Sequence, residues 1–153
     1  MFQPGQLFTR SASITDEDAY QAAVLSQDVQ PVHLDATYAA RTRFGRPIVP
    51  GALTIGHVAG LLGTGLVDTR SHYIVTQNFA AQFLRPVFVG DELLLRATVT
   101  TWNQSDGHLS VEIEVRNQRG RRVLVGTAGL VVFAVAEVAV DRASPPTGRR
   151  ALR

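Results

Sequence analysis

Asp28 and His33 stand five positions apart in the stretch SQDVQPVHLDATYAA. A carboxylate and an imidazole are side chains that carry protons in general acid–base catalysis. On an unbroken helix the two would project about 140° apart, at ~100° per residue, and could not share a substrate. Pro31 lies between them. Proline inside a helix removes a hydrogen bond and collides with the preceding turn, so the chain is expected to bend here. At such a bend the pair can hold one water and move its proton. Stripped of its surroundings, the same pair reads as a helix terminator followed by the first turn of the next helix.

The other histidines offer less. His57 sits in an apolar stretch and reads as a buried, hydrogen-bonded histidine rather than a catalyst. His72 and His108 fall near expected strand ends and turns, where solvent is the simplest partner. No histidine–carboxylate spacing suggests a metal site. There are no cysteines, which excludes disulfides, thiolate chemistry and cysteine-ligated metal. No cofactor is expected.

Several elements must position Asp28 and His33. After a short extended start around Gln6 to Thr9, SITDEDAY reads as a helix opening. Thr15 can cap it, and Asp16, Glu17 and Asp18 suit its first turn. This helix is expected to run to about Ser26. A second short helix is expected from Val32 to Leu34 and on through Tyr38 and Ala39. A central apolar helix follows from Gly51 to about Leu66. It holds Gly56, Gly60, Gly63 and Gly65, each costing roughly 1 kcal/mol against alanine in an exposed helix. Close approach of a curved sheet would explain them.

From His72 onward the period becomes two. LSVEIEVRN puts Val111, Ile113 and Val115 on one face and Ser110, Glu112, Glu114 and Arg116 on the other. ELLLRATVTTW and RRVLVGTAGLVVFAV read as strands, the latter so continuously apolar that it should be central. HYIVTQNFAAQFLRPV reads as a further strand ending at Pro86. Asp106-Gly107 and Arg119-Gly120 mark tight turns. The expected class is α+β, an antiparallel sheet wrapped around one buried helix.

The bulk numbers set limits. With 153 residues and 45% hydrophobic content, one domain with a substantial core is expected, over about 1–140. The net charge of +2 comes entirely from arginine, and the chain has no lysine. Four arginines crowd the end, so 141–153 reads as a solvated basic tail and the domain itself as near neutral. That is not the basic stripe of a nucleic-acid binder. The N-terminus lacks the basic-then-apolar order of a signal peptide. Pro47 to Val67 carries no charge, but its prolines and glycines leave a helix too short to span a bilayer. No membrane insertion and a cytoplasmic location are expected.

The order Asp28, Pro31, His33, Asp35, Tyr38, Ala39, then Pro47-Ile-Val-Pro-Gly51-Ala-Leu53, resembles the MaoC-like hydratases of the hot-dog fold. FLRPVFVGDEL, from Phe83 to Leu93, resembles a strand motif of the same family. The resemblance covers about Ile14 to Val135. Gln27 departs from it where glycine is usual, and Gln30 where asparagine is usual. In register with this pattern, the Asp28–His33 pair reads as half of an active site.

The resemblance implies addition of water across the double bond of a trans-2-enoyl thioester. Asp28 and His33 flank the water, and the product is an (R)-3-hydroxyacyl-CoA. Spacing does not say which of the two is base and which acid. The enolate charge needs preorganised donors. Gly51 offers a backbone N–H at the positive end of the apolar helix. Asp35 takes a capping role and Tyr38 a packing one. Arg85, Arg43 and Arg46 are candidates for the CoA phosphates, which suit a forked guanidinium.

Other hot-dog chemistries fit less well. The β-hydroxyacyl-ACP dehydratases use a histidine and a helix glutamate where this chain has Thr42 and Gly56. Many thioesterases of this fold carry a carboxylate on or just before the central helix, and Gly51 to Val67 contains none. Thioester hydrolysis is the enzymatic alternative, and a non-catalytic acyl-thioester-binding subunit is the other. A sheet wrapped on one helix exposes strand edges, which points to a homodimer, with further pairing of dimers left open.

Overall fold

The computed structural model describes residues 1–136, so the expected tail at 141–153 lies outside them. β1 (Leu7–Ser13) leads into α1 (Asp16–Ser26), two helical turns α2 (Pro31–Leu34) and α3 (Ala36–Ala39), and the long helix α4 (Gly51–Thr64). Four strands follow: β2 (His72–Phe83), β3 (Glu92–Asn103), β4 (His108–Asn117) and β5 (Arg122–Ala134). With β1 they form one five-stranded sheet in the order β1-β3-β4-β5-β2, antiparallel throughout.

The period of two seen in the sequence becomes the inner face of this sheet. Leu93, Leu95, Ala97 and Val99 of β3 are buried together with Leu109, Val111, Ile113 and Val115 of β4. Leu95 pairs directly with Val115, and Ala97 with Ile113, so the apolar residues of neighbouring strands share a face. β5 is interior, flanked by β4 and β2, but the middle place belongs to β4. The Gly107 and Gly120 turns adopt φ of 73° and 69°, a region in which glycine meets no steric penalty.

α4 lies across the inner face, packed on β1, β2 and β3. Thr54, Val58, Leu61 and Leu62 are its buried residues, at the i, i+4, i+7, i+8 spacing of a single helix face. Cutting a leucine such as Leu61 to alanine removes about 2–5 kcal/mol in a well-packed core. Arg10 of β1 reaches the last turn of α4 and donates to Thr64 Oγ1 at 2.9 Å, placing a cation at the negative end of the helix. α1 packs on α4 through its own short apolar face of Ala19 and Ala23. Thr15 and Asp18 close α1 reciprocally as a capping box, and the Thr15 hydroxyl and amide hold the Asp18 carboxyl below the usual carboxylate range.

Two expectations are corrected. The second helix divides at Asp35, whose extended backbone ends α2 and whose side chain caps α3 by accepting from the Tyr38 N–H at 2.9 Å. The helix glycines do not mark contact with the sheet backbone. A Cβ on Gly56 or Gly63 would meet nothing within 4 Å, and one on Gly60 would meet only the Arg10 guanidinium at 3.0 Å. Gly65 is the C-cap of α4. Among the described residues no helix is long and apolar enough to cross a membrane.

Because Gly63 is a helix-interior glycine in open space, Gly63→Ala is expected to stabilise the protein by up to about 1 kcal/mol. For a chain of this size that is roughly 2–4 °C in Tm. A melting curve at or below wild type would show that something outside this single chain needs the space.

Candidate active site

α1 ends in a left-handed residue, Gln27 at φ 58°, whose N–H returns to the Val24 carbonyl. Gln27 is the one non-glycine residue with positive φ among those described. Glycine is the usual occupant of such a helix end because it has no Cβ to collide with the carbonyl. The departure at Gln27 therefore changes the side chain and keeps the turn. That turn swings Asp28 off the end of α1, and the Asp28 N–H meets Ser26 Oγ at 3.4 Å. Pro31 then starts α2 in the first helical position, where its missing N–H costs nothing.

The bend brings the two side chains together. His33 Nε2 lies 3.3 Å from Asp28 Oδ2, the imidazole only 8% exposed and the carboxylate 38%. His33 Nδ1 lies 2.8 Å from the Ile48 carbonyl oxygen. A carbonyl only accepts, so Nδ1 carries a proton, and in the neutral form of the ring Nε2 presents a lone pair toward Asp28. Two acceptors then face one another at 3.3 Å, longer than the 2.7–2.9 Å of a charge-assisted hydrogen bond. A water seated beside the pair, within hydrogen-bond reach of both atoms, can donate one hydrogen to each.

Gln30 fixes the other carboxylate oxygen: its Nε2 donates to Asp28 Oδ1 at 2.8 Å. That hydrogen bond is the largest influence on the Asp28 carboxyl and, against the opposing effect of desolvation, it holds the group below its ordinary value of 3.8. The carboxylate is thus ionised throughout the neutral range. Its contribution to stability is present above the ordinary value and lost as pH falls through the lower folded one.

Gly51 enters through the backbone. Ile48 N–H donates to the Val32 carbonyl at 3.2 Å and Val49 N–H to the Val87 carbonyl at 2.8 Å, so the chain before α4 is tied to α2 on one side and to the β2–β3 connection on the other. Gly51 follows three residues after the carbonyl that holds His33. It opens α4 behind Pro50, which supplies no side-chain cap. The first amides of a helix have no intrahelical partner, so the start of α4 offers donors.

The candidate arginines stand in varied surroundings. Arg85 donates from Nη1 to the Arg122 carbonyl at 2.8 Å. Arg43 lies over the Phe44 ring at 4.9 Å, and Arg46 over Phe88 at 4.0 Å. His57 differs from its expected state: its Nε2 is buried without a hydrogen-bond partner among the described residues. No cluster of three metal-ligating side chains occurs among the described residues. Sequence reasoning gave no role to the Gln30 amide or the Ile48 carbonyl. Gln30 carried a signal as a departure from the family pattern, whereas a backbone carbonyl carries none.

An antiparallel sheet on one helix, with a proline-bent Asp–His pair beside that helix's open start, defines a class, and the comparisons agree. The chain belongs to the MaoC-like domain family, whose model matches residues 2–120. It is similar to the (R)-specific enoyl-CoA hydratase of Aeromonas caviae, 37% identical over 106 residues that cover 69% of this chain and 77% of that one. The (R)-specific enoyl-CoA hydratase of Rhodospirillum rubrum is 34% identical over 96 residues, 63% of this chain and 65% of that one. Among solved structures, the (R)-hydratase from A. caviae involved in PHA biosynthesis matches with a TM-score of 0.78 at 30% identity. That match covers 85% of this chain and 96% of the other. The hot-dog architecture expected from the sequence is the one shared with these structures.

The Gln30 contact generates a prediction. Gln30→Leu removes the donor, so the Asp28 carboxyl is expected to titrate at higher pH than in the wild type. Carboxyl NMR of Asp28 measures both midpoints. A midpoint unmoved by the substitution would take Gln30 out of the site.

Proposed function

We propose that this chain is an (R)-specific enoyl-CoA hydratase, adding water to trans-2-enoyl-CoA to give (R)-3-hydroxyacyl-CoA and running equally in reverse as a dehydratase. The observation that carries the reading is the Asp28–His33 pair, 3.3 Å apart with the imidazole tautomer set by Ile48. The CoA carrier and the (R) configuration come from the named relatives.

In the hydration direction, one water donates its hydrogens to Asp28 and to His33 Nε2. Its oxygen bonds to C3 of the enoyl group as the C2–C3 π bond breaks. The electron pair moves toward the thioester oxygen, which the Gly51 N–H at the start of α4 receives. The proton leaving the water passes to the dyad, and the dyad returns a proton to C2. The net addition is H and OH, and the dyad ends in its starting protonation state. Arg85, Arg43 and Arg46 are the proposed partners of the CoA phosphates. Arg85 uses one nitrogen on the Arg122 carbonyl and keeps the rest of its fork for a phosphate.

The proposed assembly is a homodimer. Among the described residues β2 pairs with β5 only, leaving the other backbone edge of this 12-residue strand without a partner there, and Tyr73 and Val75 on it are exposed. A single species of dimer mass by light scattering at micromolar concentration is expected, and a monodisperse monomer would refute it. The cytoplasm is the proposed location.

The decisive experiment uses crotonyl-CoA and follows loss of the enoyl-thioester absorbance alongside release of free thiol. Asp28→Asn and His33→Ala are each expected to lower kcat by at least ~10²–10⁴, the usual contribution of a general acid or base. Because both act on one water, the double variant should be little worse than the poorer single one. Asparagine caps a helix about as well as aspartate. Wild-type turnover by folded Asp28→Asn would therefore reduce Asp28 to a helix terminator. Free CoA in place of hydration would point to a thioesterase.

A further inference from the structure

Phe83 is the last residue of β2 and lies opposite Leu124 of β5. Residues directly opposed in an antiparallel pair share a face. Leu124 is fully buried in the core cluster that also holds Val58 and Leu61 of α4, as is Ala128, opposite Phe79. Phe83 is therefore on the helix side of the sheet, yet its surface is 53% exposed. Its backbone is well held: the next residue, Leu84, donates to Val123 at 2.8 Å, and Arg85 anchors on Arg122.

The tip of the Phe83 ring rests on Gly51. A Cβ built there would stand 2.9 Å from Phe83 Cζ, closer than such atoms approach, and a tight 3.1 Å from Cε1. Gly51 needs no unusual backbone angle, since it is an ordinary first residue of a helix. A side chain at this position would have to push the ring tip aside, so glycine is what lets the Phe83 ring rest where it does. The ring edge thus sits beside the Gly51 Cα, next to the amide that opens α4, while about half of the Phe83 surface stays open to solvent.

We propose that Phe83 is a positioning residue for the hydration reaction. Its ring closes one side of the α4 start, fixes where Gly51 lies and gives the thioester an apolar wall. The Gly51 N–H then meets the developing enolate with water kept off that side. A donor shielded from water stabilises charge more strongly than a solvated one. This rests on the reading of Gly51 as the donor to the thioester oxygen, and it predicts an effect on the transition state rather than on ground-state binding.

The test compares Phe83→Ala, Phe83→Leu, Gly51→Ala and the double variant Gly51→Ala/Phe83→Ala. Each is assayed for turnover of crotonyl-CoA and for affinity toward butyryl-CoA, which binds but has no double bond. Phe83→Ala is expected to lower kcat at least about tenfold, part of the ~10²–10³ that losing an oxyanion donor outright costs. Its butyryl-CoA affinity should change by less than about twofold, the split expected when only transition-state contacts are lost. Gly51→Ala should lose ~10²-fold, the scale of an ångström-sized misplacement. Removing the ring in the double variant should bring activity back up to the level of Phe83→Ala.

Wild-type kcat in Phe83→Ala overturns the proposal. So does butyryl-CoA affinity that falls in step with kcat, full activity in Gly51→Ala, or a double variant no better than Gly51→Ala. Should Phe83→Ala fail to fold, Phe83→Leu keeps the apolar volume while removing the ring tip, and is judged by the same split. Asp28→Asn run in parallel separates the two levels. An active wild type with a dead Asp28→Asn preserves the hydratase reading whatever Phe83 does, and a wild type that never hydrates crotonyl-CoA removes both.

Discussion

The 2.8 Å hydrogen bond from His33 Nδ1–H to the Ile48 carbonyl joins the two parts of the chain on which the site depends. One is the proline-started turn α2, which carries the imidazole. The other is the segment that begins α4 and carries the Gly51 amide. The bond sets the tautomer, so Nε2 is the nitrogen left for chemistry. It also sets ring orientation in a nearly buried side chain. Leaving a buried polar group unpartnered costs about 1–3 kcal/mol, so an imidazole turned away from Ile48 is strongly disfavoured. The reciprocal Ile48 N–H to Val32 bond holds the same register from the other side.

The start of α4 shows a local rule set aside. A helix of this length would gain about 1 kcal/mol from a serine, threonine, aspartate or asparagine cap. Pro50 offers none, and Gly51 offers no side chain. Both choices leave the first amides of α4 available to a ligand. Compensation comes from elsewhere: Val49 is tied to Val87 in the β2–β3 connection, and the buried face of Val58, Leu61 and Leu62 locks the helix body. Departures from local preference that are offset by distant packing are what a functional site is expected to show.

Much of this was legible because two periodicities are strong. Alternation in LSVEIEVRN and ELLLRATVTTW identified β4 and β3, and their glycine turns have the positive φ such turns need. Thr15 and Asp18 announced the start of α1. What misled was chemistry with more than one physical cause. The glycines of α4 read as clearance for the sheet, yet Gly56 and Gly63 face open space and the real clearance is at Gly51. Asp35 was legible as a cap but not as a break between two turns. His57 read as a satisfied histidine, and its buried nitrogen has no partner among the described residues.

The sequence by itself determined the bend. Pro31 forbids a continuous helix through Asp28 and His33, and that follows from covalent geometry wherever the chain folds. It also determined the strands and the apolar helix, since their periodicities are local. Only the tertiary structure decided that the two side chains meet at 3.3 Å, that Nδ1 and not Nε2 holds the proton, and that Phe83 leans on Gly51. Each of these depends on residues 15 to 32 positions apart in the chain, or on a side chain's direction after a bend. The partner of the imidazole is moreover a backbone carbonyl, a group present at every residue and so invisible to any reading of side-chain types.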